Sequence, residues 1–178
     1  LQAKGYATGG FYSGPNLHPA FGFGAGFETY ENCSGKVLSA AAFDHALAGG
    51  DNSELVALHH GSHSGLSSEA LLTQSGEWLE NAADGDQPFF LFVHWWDPHY
   101  DYTPPGELAS AFDPDYTGKQ LGTNFLDVRR KPKARDLEHI LALYDAEIRH
   151  TDDHIGKLLE RLEQLAMADD TLVVFTAD

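Results

Sequence analysis

Residues 88–105 read PFFLFVHWWDPHYDYTPP, a continuous apolar run that ends abruptly in polar and proline-rich sequence. The apolar part, residues 88–93, is too short to cross a membrane and follows a turn-like sequence, so we predict a fully buried parallel strand. In open parallel sheets, ligands bind beyond the carboxyl ends of the strands. His94, Asp97 and His99 come directly after the apolar run. We therefore expect these three side chains at such a site.

The composition of the chain limits the classes of protein to which it can belong. Its 178 residues and 42% hydrophobic content allow a sizeable core, most simply of one domain or part of one. The formal net charge of −16 argues against nucleic-acid binding, because phosphate contacts need clustered cations. With no run of about 18 apolar residues, no membrane-spanning segment is predicted. The compartment is not indicated, and a periplasmic or secreted location is compatible with the sequence.

A second predicted strand follows the first one after a long helix. Residues 136–166 carry apolar side chains mostly at spacings of three and four, which predicts an amphipathic helix. Residues 171–176 are again apolar, and the order 88–94, 136–166, 171–176 predicts a βαβ unit. A right-handed crossover would place the ends of both strands at one edge of the sheet. Asp178 would then lie on the same side as His99.

The remaining elements are predicted from turn and capping signals. No role is assigned to residues 36–80. The predictions are a helical turn that ends at Gly5, a strand over 6–13, an ordered aromatic loop over 16–35, a helix from Ser67 or Ser68 to 81–85, and an irregular stretch over 97–134.

Polar residues near the predicted strand ends indicate two kinds of chemistry. An Asp held at the end of a buried strand, as at Asp178, suits a hard cation, although it also suits the N-cap of a following helix. His99 can donate a hydrogen bond to an oxyanion or a proton to a leaving oxygen, and the alternative is a loop histidine bonded to backbone. His94 also fits a hydrogen-bonded residue at the strand end, and Trp96 fits either packing or the wall of a pocket.

Other residues that can bind metals or act as nucleophiles have weaker surroundings. The histidines of HHGSH, His59, His60 and His63, have no Cys or carboxylate nearby at ligand spacing, so we expect a solvated loop rather than a zinc site. Cys33 is the one cysteine of the chain, which excludes an intrachain disulfide. It has no partner base in the adjacent sequence, and we predict an inert small hydrophobic residue.

Three segments together resemble the sulfatase family of the alkaline-phosphatase-like superfamily. They are GYATGGFYSG…FGFGAGFETYE (5–14 and 21–31), the stretch 88–105, and LYDAEIRHTDDHIGKLLERLEQLAMADDTLVVFTAD (143–178). Their order and spacing match the middle of that domain. The resemblance implies an α/β class fold, an alkaline-phosphatase-like α/β/α sandwich with a large mixed sheet. Residues 1–178 would be a part of that catalytic domain, truncated at both ends.

The resemblance also implies a chemistry and the residues that carry it. The implied reaction is hydrolysis of a sulfate ester, of a small molecule or a glycan, with a divalent cation that is usually calcium, with Mg²⁺ as an alternative. In the family pattern, His99 contacts the sulfate and helps to protonate the leaving oxygen, and Asp178 is a metal ligand. His94, Asp97 and Trp96 are further candidates for contact with the substrate.

The nucleophile of the family has no counterpart in this chain. It is a formylglycine made from a C/S-x-P-x-R motif, whereas Cys33 is followed by Ser-Gly-Lys. We expect the motif, and the paired aspartates of the cation site, upstream of Leu1, so the chain alone is expected to be inactive. Two alternatives stay open. One is a phosphomonoesterase, phosphodiesterase or phosphonate hydrolase of the same superfamily. The other is a non-catalytic binding protein, either a degenerate sulfatase-like domain or a module that docks partners on the helix 136–166.

Overall fold

A computed structural model describes residues 1–34, 65–119 and 131–177. The predictions on His59, His60, His63 and Asp178 concern positions outside these ranges. None of the described helices has the length and apolar character needed to cross a membrane. Short 3₁₀ helices cover Gln2–Lys4, Pro19–Phe21 and Ala168–Asp170; the larger elements are β1 (Ala7–Tyr12), β2 (Thr29–Asn32), α1 (Ser68–Ala83), β3 (Phe89–His94), α2 (Gly106–Phe112) and α3 (Ala134–Gln164).

The three strands form one parallel sheet in the order β2-β1-β3. Tyr12 of β1 pairs with His94 of β3, so these two strands end at the same level. The parallel strand predicted over 88–93 and the strand predicted over 6–13 are thus confirmed. The predicted aromatic loop was wrong in part, because it contains β2, in which Thr29 pairs with Gly9 of β1.

Strand β3 is buried on one face only, which corrects the prediction of a fully buried strand. Leu91 and Val93 pack against the core that lies beneath α1. Phe90 and Phe92 are on the opposite face, where they are 40% and 37% exposed and contact the ring of Phe27. The reason is that the described helices cover the face of Leu91 and Val93.

Helix α1 lies between the sheet and α3. Leu79 of α1 is fully buried against Leu158 and Leu162 of α3, and an ion pair joins Glu80 to Arg161. The two long helices are confirmed, each within about two residues of its predicted bounds. Helix α2 packs on α3 and occupies part of the stretch 97–134, which was predicted to be irregular.

The buried face of α3 differs from the predicted apolar stripe. Leu137, Leu141, Ile148 and Leu159 belong to the predicted stripe but are between 40% and 53% exposed. The buried positions instead recur at spacings of one, three and four, and they include polar side chains: His139, Ile140, Leu143, Ala146, Glu147, Thr151, His154, Leu158 and Leu162.

The predicted strand over 171–176 is absent from the structure. Residues 171–177 carry no strand assignment, and Leu172 and Val174 are 89% and 78% exposed. The prediction of a βαβ unit that includes this segment is therefore wrong for the described residues. A β-favouring sequence forms a strand only where a neighbouring strand pairs with it, and the described sheet ends at β3 on one side and β2 on the other.

Candidate functional site

The carboxyl ends of β1 and β3 are joined by hydrogen bonds between Ser13 and His94. The backbone N–H of Ser13 donates to the carbonyl oxygen of His94 at 3.2 Å, and its hydroxyl donates to the same oxygen at 3.2 Å. The His94 ring returns the contact, with Nδ1 at 3.0 Å from the Ser13 carbonyl oxygen. Since a carbonyl oxygen only accepts, Nδ1 carries the proton. His94 thus holds the two strand ends together, and its contact with substrate stays a prediction.

Asp97 caps helix α1 from outside that helix. Its side chain is buried, and Oδ2 accepts from the backbone N–H groups of Ser67 at 2.9 Å and of Ser68 at 3.0 Å, and from the Ser68 hydroxyl at 2.7 Å. These N–H groups belong to the first turn of α1, where a helix lacks partners for its donors and favours negative charge. Ser67, predicted as a cap, makes no capping bond through its own side chain.

A second serine hydroxyl extends this network to the strand ends. The Ser67 hydroxyl lies 2.8 Å from Oγ of Ser13 and 3.3 Å from Oδ2 of Asp97. One hydroxyl proton cannot serve both acceptors at full strength, so the shorter bond to Ser13 is the main one. Ser13 also accepts the backbone N–H of Trp96 at 2.9 Å. The end of β1, the start of α1 and the turn after β3 therefore form one buried polar unit.

Trp96 lies against the backbone of Gly14. Gly14 has φ +86°, and a Cβ at this position would overlap the indole ring of Trp96. The N–H of Gly14 donates to the Ser34 hydroxyl at 2.9 Å, which fixes this backbone against the ring. Trp96 is therefore a packing group of the turn; its predicted role as a pocket wall is untested.

His99 stacks on Trp96. The centroids of these two rings are 4.0 Å apart, and the angle between the ring planes is 19°. The Tyr100 ring is also close, with its centroid 4.2 Å from that of His99 and its plane tilted by 38°. Nδ1 of His99 lies 2.8 Å from the Tyr100 carbonyl oxygen, so Nδ1 is the protonated nitrogen of the neutral ring. Nε2 is then the nitrogen that can gain and release a proton. Once Nε2 has gained a proton, the ring can act as a proton donor at that nitrogen.

Glu147 of α3 is a buried acid that the sequence analysis missed. It is 1% exposed, and Oε1 accepts the backbone N–H of Thr103 at 2.5 Å. Burial raises the pKa of its carboxyl to about 8, with Asp97 and Asp101 adding to the rise and the Thr103 N–H opposing it. The signal in the sequence is a spacing of four from buried Leu143, which places Glu147 on the buried face.

Cys33 is an inert buried thiol, as predicted. It is 2% exposed, and its Sγ lies 3.3 Å from Oε1 of Gln74, to which it donates. Burial raises the pKa of the thiol to about 12, and the charge of Glu31 adds to the rise. A thiol with this pKa is almost fully protonated at neutral pH and is a poor nucleophile.

The described residues do not by themselves fit a cation site. No group of three or more His, Cys, Asp or Glu side chains within the described ranges is arranged to hold a metal ion. Asp97, two residues before His99, uses Oδ2 to accept the N–H groups at the start of α1. Asp178, the predicted ligand, lies outside the described residues. We derive no chemical step through a cation from this geometry.

Comparison with known proteins identifies the family. The description "Sulfatase" belongs to the family profile that matches residues 1–178. An ulvan-active sulfatase of Formosa agariphila is 31% identical over 109 residues, which are 61% of this chain and 20% of that protein. Human iduronate 2-sulfatase is 24% identical over an alignment of 131 positions that covers 59% of this chain and 24% of that protein.

A solved structure has a similar fold. The structure of Ps i-CgsB in complex with k-i-k-neocarrahexaose superposes with a TM-score of 0.55 at 16% identity, over 93% of this chain and 36% of that one. At this identity the match supports the fold alone, a parallel sheet with flanking helices. The chain corresponds to about a quarter or less of the curated relatives it matches. Because the family profile extends over all its residues, the chain belongs to the sulfatase family.

Proposed function

We propose that this chain forms part of the active site of a hydrolase that cleaves sulfate esters, with His99 as the acid that protonates the leaving oxygen. The observation that carries the proposal is the His99 ring, stacked on Trp96 with Nδ1 committed to the Tyr100 carbonyl oxygen. That arrangement leaves proton exchange to Nε2, and it occurs in a chain of the sulfatase family. Sulfated glycans are the proposed substrate class, since relatives include an ulvan-active sulfatase.

In the proposed reaction, the S–O bond to the leaving alcohol breaks while a nucleophile bonds to sulfur. The leaving oxygen gains negative charge as the bond breaks, and it takes the Nε2 proton of the imidazolium form of His99, which leaves the neutral ring with its proton on Nδ1. Cys33 is unsuitable as the nucleophile because its thiol stays protonated at neutral pH. We propose that a formylglycine outside residues 1–178 supplies the nucleophile. We also propose that a divalent cation, calcium in the first instance, binds with Asp178 as one ligand.

The acid role of His99 is tested by varying the leaving group. In the full-length protein, His99→Gln should lower kcat/KM about 10²- to 10⁴-fold for a sulfated sugar. The sugar hydroxyl is a poor leaving group unless its oxygen is protonated. The loss should be much smaller for p-nitrophenyl sulfate, whose leaving group is stable as an anion. Cys33→Ala is the matched control and should act on both substrates like the wild type. Equal losses of His99→Gln on both substrates would show that His99 is not the acid.

Two further measurements separate the proposal from its alternatives. Rates with matched sulfate and phosphate esters of the same alcohol distinguish a sulfatase from a phosphatase of the superfamily. The coding region before Leu1 should contain a C/S-x-P-x-R motif; its absence there would contradict the proposed nucleophile. For the cation, calorimetry with Ca²⁺ should show binding to the full-length protein that Asp178→Ala weakens. Unchanged affinity in that variant would exclude Asp178 as a ligand.

A further inference from the structure

Glu147 is a buried ionisable group for which the proposed chemistry has no use. Its Oε1 accepts the N–H of Thr103, which lies four residues after His99. Its Oε2 is also buried and has no hydrogen-bond partner in the described part of the chain; the same holds for Oγ of Thr151, one helical turn further along α3. A buried carboxyl oxygen without a partner is costly when the group is charged.

Helix α3 contacts the loop that follows β3, residues 97–105, at two adjacent points. Besides the Glu147 bond to Thr103, the ring of Tyr144 meets the ring of Tyr102 edge to face, with centroids 5.4 Å apart at 74°. Tyr144 and Glu147 are three residues apart and so lie on the same side of α3. The two contacts therefore attach consecutive loop residues, Tyr102 and Thr103, to one turn of the helix.

The same loop is attached to α1 on the other side of His99. Asp97 binds the N–H groups at the start of α1, two residues before His99. Thr103 binds Glu147 of α3, four residues after it. Between these attachments, the His99 ring stacks on Trp96 and its Nδ1 donates to the Tyr100 carbonyl oxygen. The Tyr100 carbonyl can hold its direction only if the chain that follows it is also held.

We propose that Glu147 is a positioning residue for His99, which it keeps in place by fixing loop 97–105 to α3. The inference rests on the proposed function, because it assigns Glu147 a part in that same reaction. Glu147 accepts a hydrogen bond from the loop at Thr103, and in the proposed reaction it does not contact the substrate. Its role is to hold the backbone from which the Tyr100 carbonyl orients the ring.

The charge of Glu147 then controls the loop. Burial keeps the carboxyl protonated up to about pH 8. The groups that face it are acidic: Asp97 and Asp101 of the loop raise its pKa, and Tyr102 of the loop has its own pKa raised by burial, with Tyr144 and Glu147 adding to the rise. No Lys, Arg or His among the described residues forms an ion pair with Glu147.

His150 on the same helix does not offset this charge. Burial, with His154 next in effect, lowers the pKa of His150, while Asp97 opposes that shift. His154 donates Nδ1 to the backbone carbonyl of His150 at 2.7 Å. Loss of the Glu147 proton therefore places an uncompensated negative charge beside Asp97 and Asp101, and the loop is expected to loosen as the pH rises through about 8.

The test compares two substitutions at Glu147 in the full-length protein. E147Q keeps an acceptor oxygen for Thr103 but cannot ionise, whereas E147A removes the acceptor. E147A should lower kcat about 10- to 100-fold with little change in KM, because the acid group is misplaced. E147Q should keep kcat near the wild-type value at pH 7 and lack the steeper fall of kcat/KM above pH 8. E160Q changes an exposed glutamate of the same helix and should leave the profile unchanged.

Hydrogen exchange of residues 97–105 provides a readout that needs no turnover. Exchange should be faster in E147A at every pH, and in the wild type it should accelerate above pH 8 while E147Q stays slow. The same alkaline limb in E147Q and the wild type, or unchanged loop exchange in both variants, would overturn the inference. If the wild type cleaves no sulfate ester, the proposed function fails, and the exchange data still decide whether Glu147 holds the loop.

Discussion

Replacement of Asp97 by Ala should destabilise the protein by about 3–5 kcal/mol. The substitution leaves two buried backbone N–H groups, those of Ser67 and Ser68, and one buried hydroxyl without their acceptor. A hydrogen bond to a charged group contributes about 1.5–3 kcal/mol, and a lost N-cap costs about 0.5–2 kcal/mol. The expected loss of stability is smaller than the sum of three hydrogen bonds to a charged group. The reason is that water can enter the space left by the carboxylate and accept from some of the donors.

Two further variants separate charge from the hydrogen-bond acceptor. Asp97→Asn keeps an oxygen of similar position and removes the charge, so its cost should be about 1–2 kcal/mol. Asp86→Ala removes an exposed aspartate and should change stability by no more than about 0.5 kcal/mol. In a Ser68→Ala background, the effect of Asp97→Ala should shrink by about 1 kcal/mol, because one of the lost bonds is already absent.

The assay is denaturant unfolding of the full-length protein, followed by circular dichroism, with midpoints compared at a common m-value. Amide exchange at the start of α1 should accelerate in Asp97→Ala. The alternative, a direct contact of Asp97 with substrate, predicts instead a raised KM with nearly unchanged stability. A destabilisation below about 1 kcal/mol together with a raised KM would refute the argument that Asp97 serves the helix.

Three other outcomes follow from the same structure. Gly14→Ala should lower kcat/KM about tenfold or more, because the added Cβ displaces Trp96. Gly22→Ala is the control and should keep activity, since Gly22 has a similar φ of +87° but open space around it. Equal losses in both variants would contradict the argument from the Trp96 contact. Cys33→Ala should retain activity with a sulfate ester, since the thiol pKa is about 12, and a loss of turnover in the folded variant would reverse that assignment. The free energy of unfolding of the wild type should fall relative to that of Glu147→Gln as the pH rises from 4.5 to about 8, because the folded state keeps a proton that the unfolded chain loses. The largest possible difference is about 5 kcal/mol. Equal pH dependence of stability in the two proteins across this range would contradict the prediction.

The elements that could be predicted from the sequence are those with local signals. The strand after Pro88 and the helices α1 and α3 each carry an apolar pattern or a turn signal within their own residues, and their bounds agree with the structure to within about two residues. Strand β2 has four residues within a glycine- and phenylalanine-rich loop. Parallel pairing with β1 stabilises it, and this pairing is not visible in so short a segment.

The segment 171–177 shows the opposite case. Its composition is typical of a buried parallel strand, and the prediction relied on that composition alone. The structure leaves the segment unpaired within the described residues, with Phe175 74% exposed. β-propensity measures how well side chains suit a half-buried pleated surface, so it cannot indicate whether a partner strand is present.

The place of three candidate residues after β3 could be predicted from the sequence, but their hydrogen-bond partners could not. His94, Asp97 and His99 were expected after β3, and each has a different partner in the structure: the Ser13 carbonyl, the start of α1, and the Tyr100 carbonyl. The contact of Asp97 joins residues about thirty positions apart, so nothing near Asp97 in the sequence indicates that its Oδ2 belongs to a helix.

The position of Glu147 could have been inferred by a different use of the same pattern. The predicted stripe of α3 counted only apolar residues and therefore included exposed ones such as Leu141 and Ile148. Starting from Leu143 and stepping by four, four, three and four residues reaches buried Leu158 through three polar side chains. A polar residue that interrupts an otherwise regular buried stripe must find a partner or lose its charge. In this chain Glu147 does both, because it accepts the Thr103 N–H while burial favours its neutral form, and this combination joins α3 to the loop of His99.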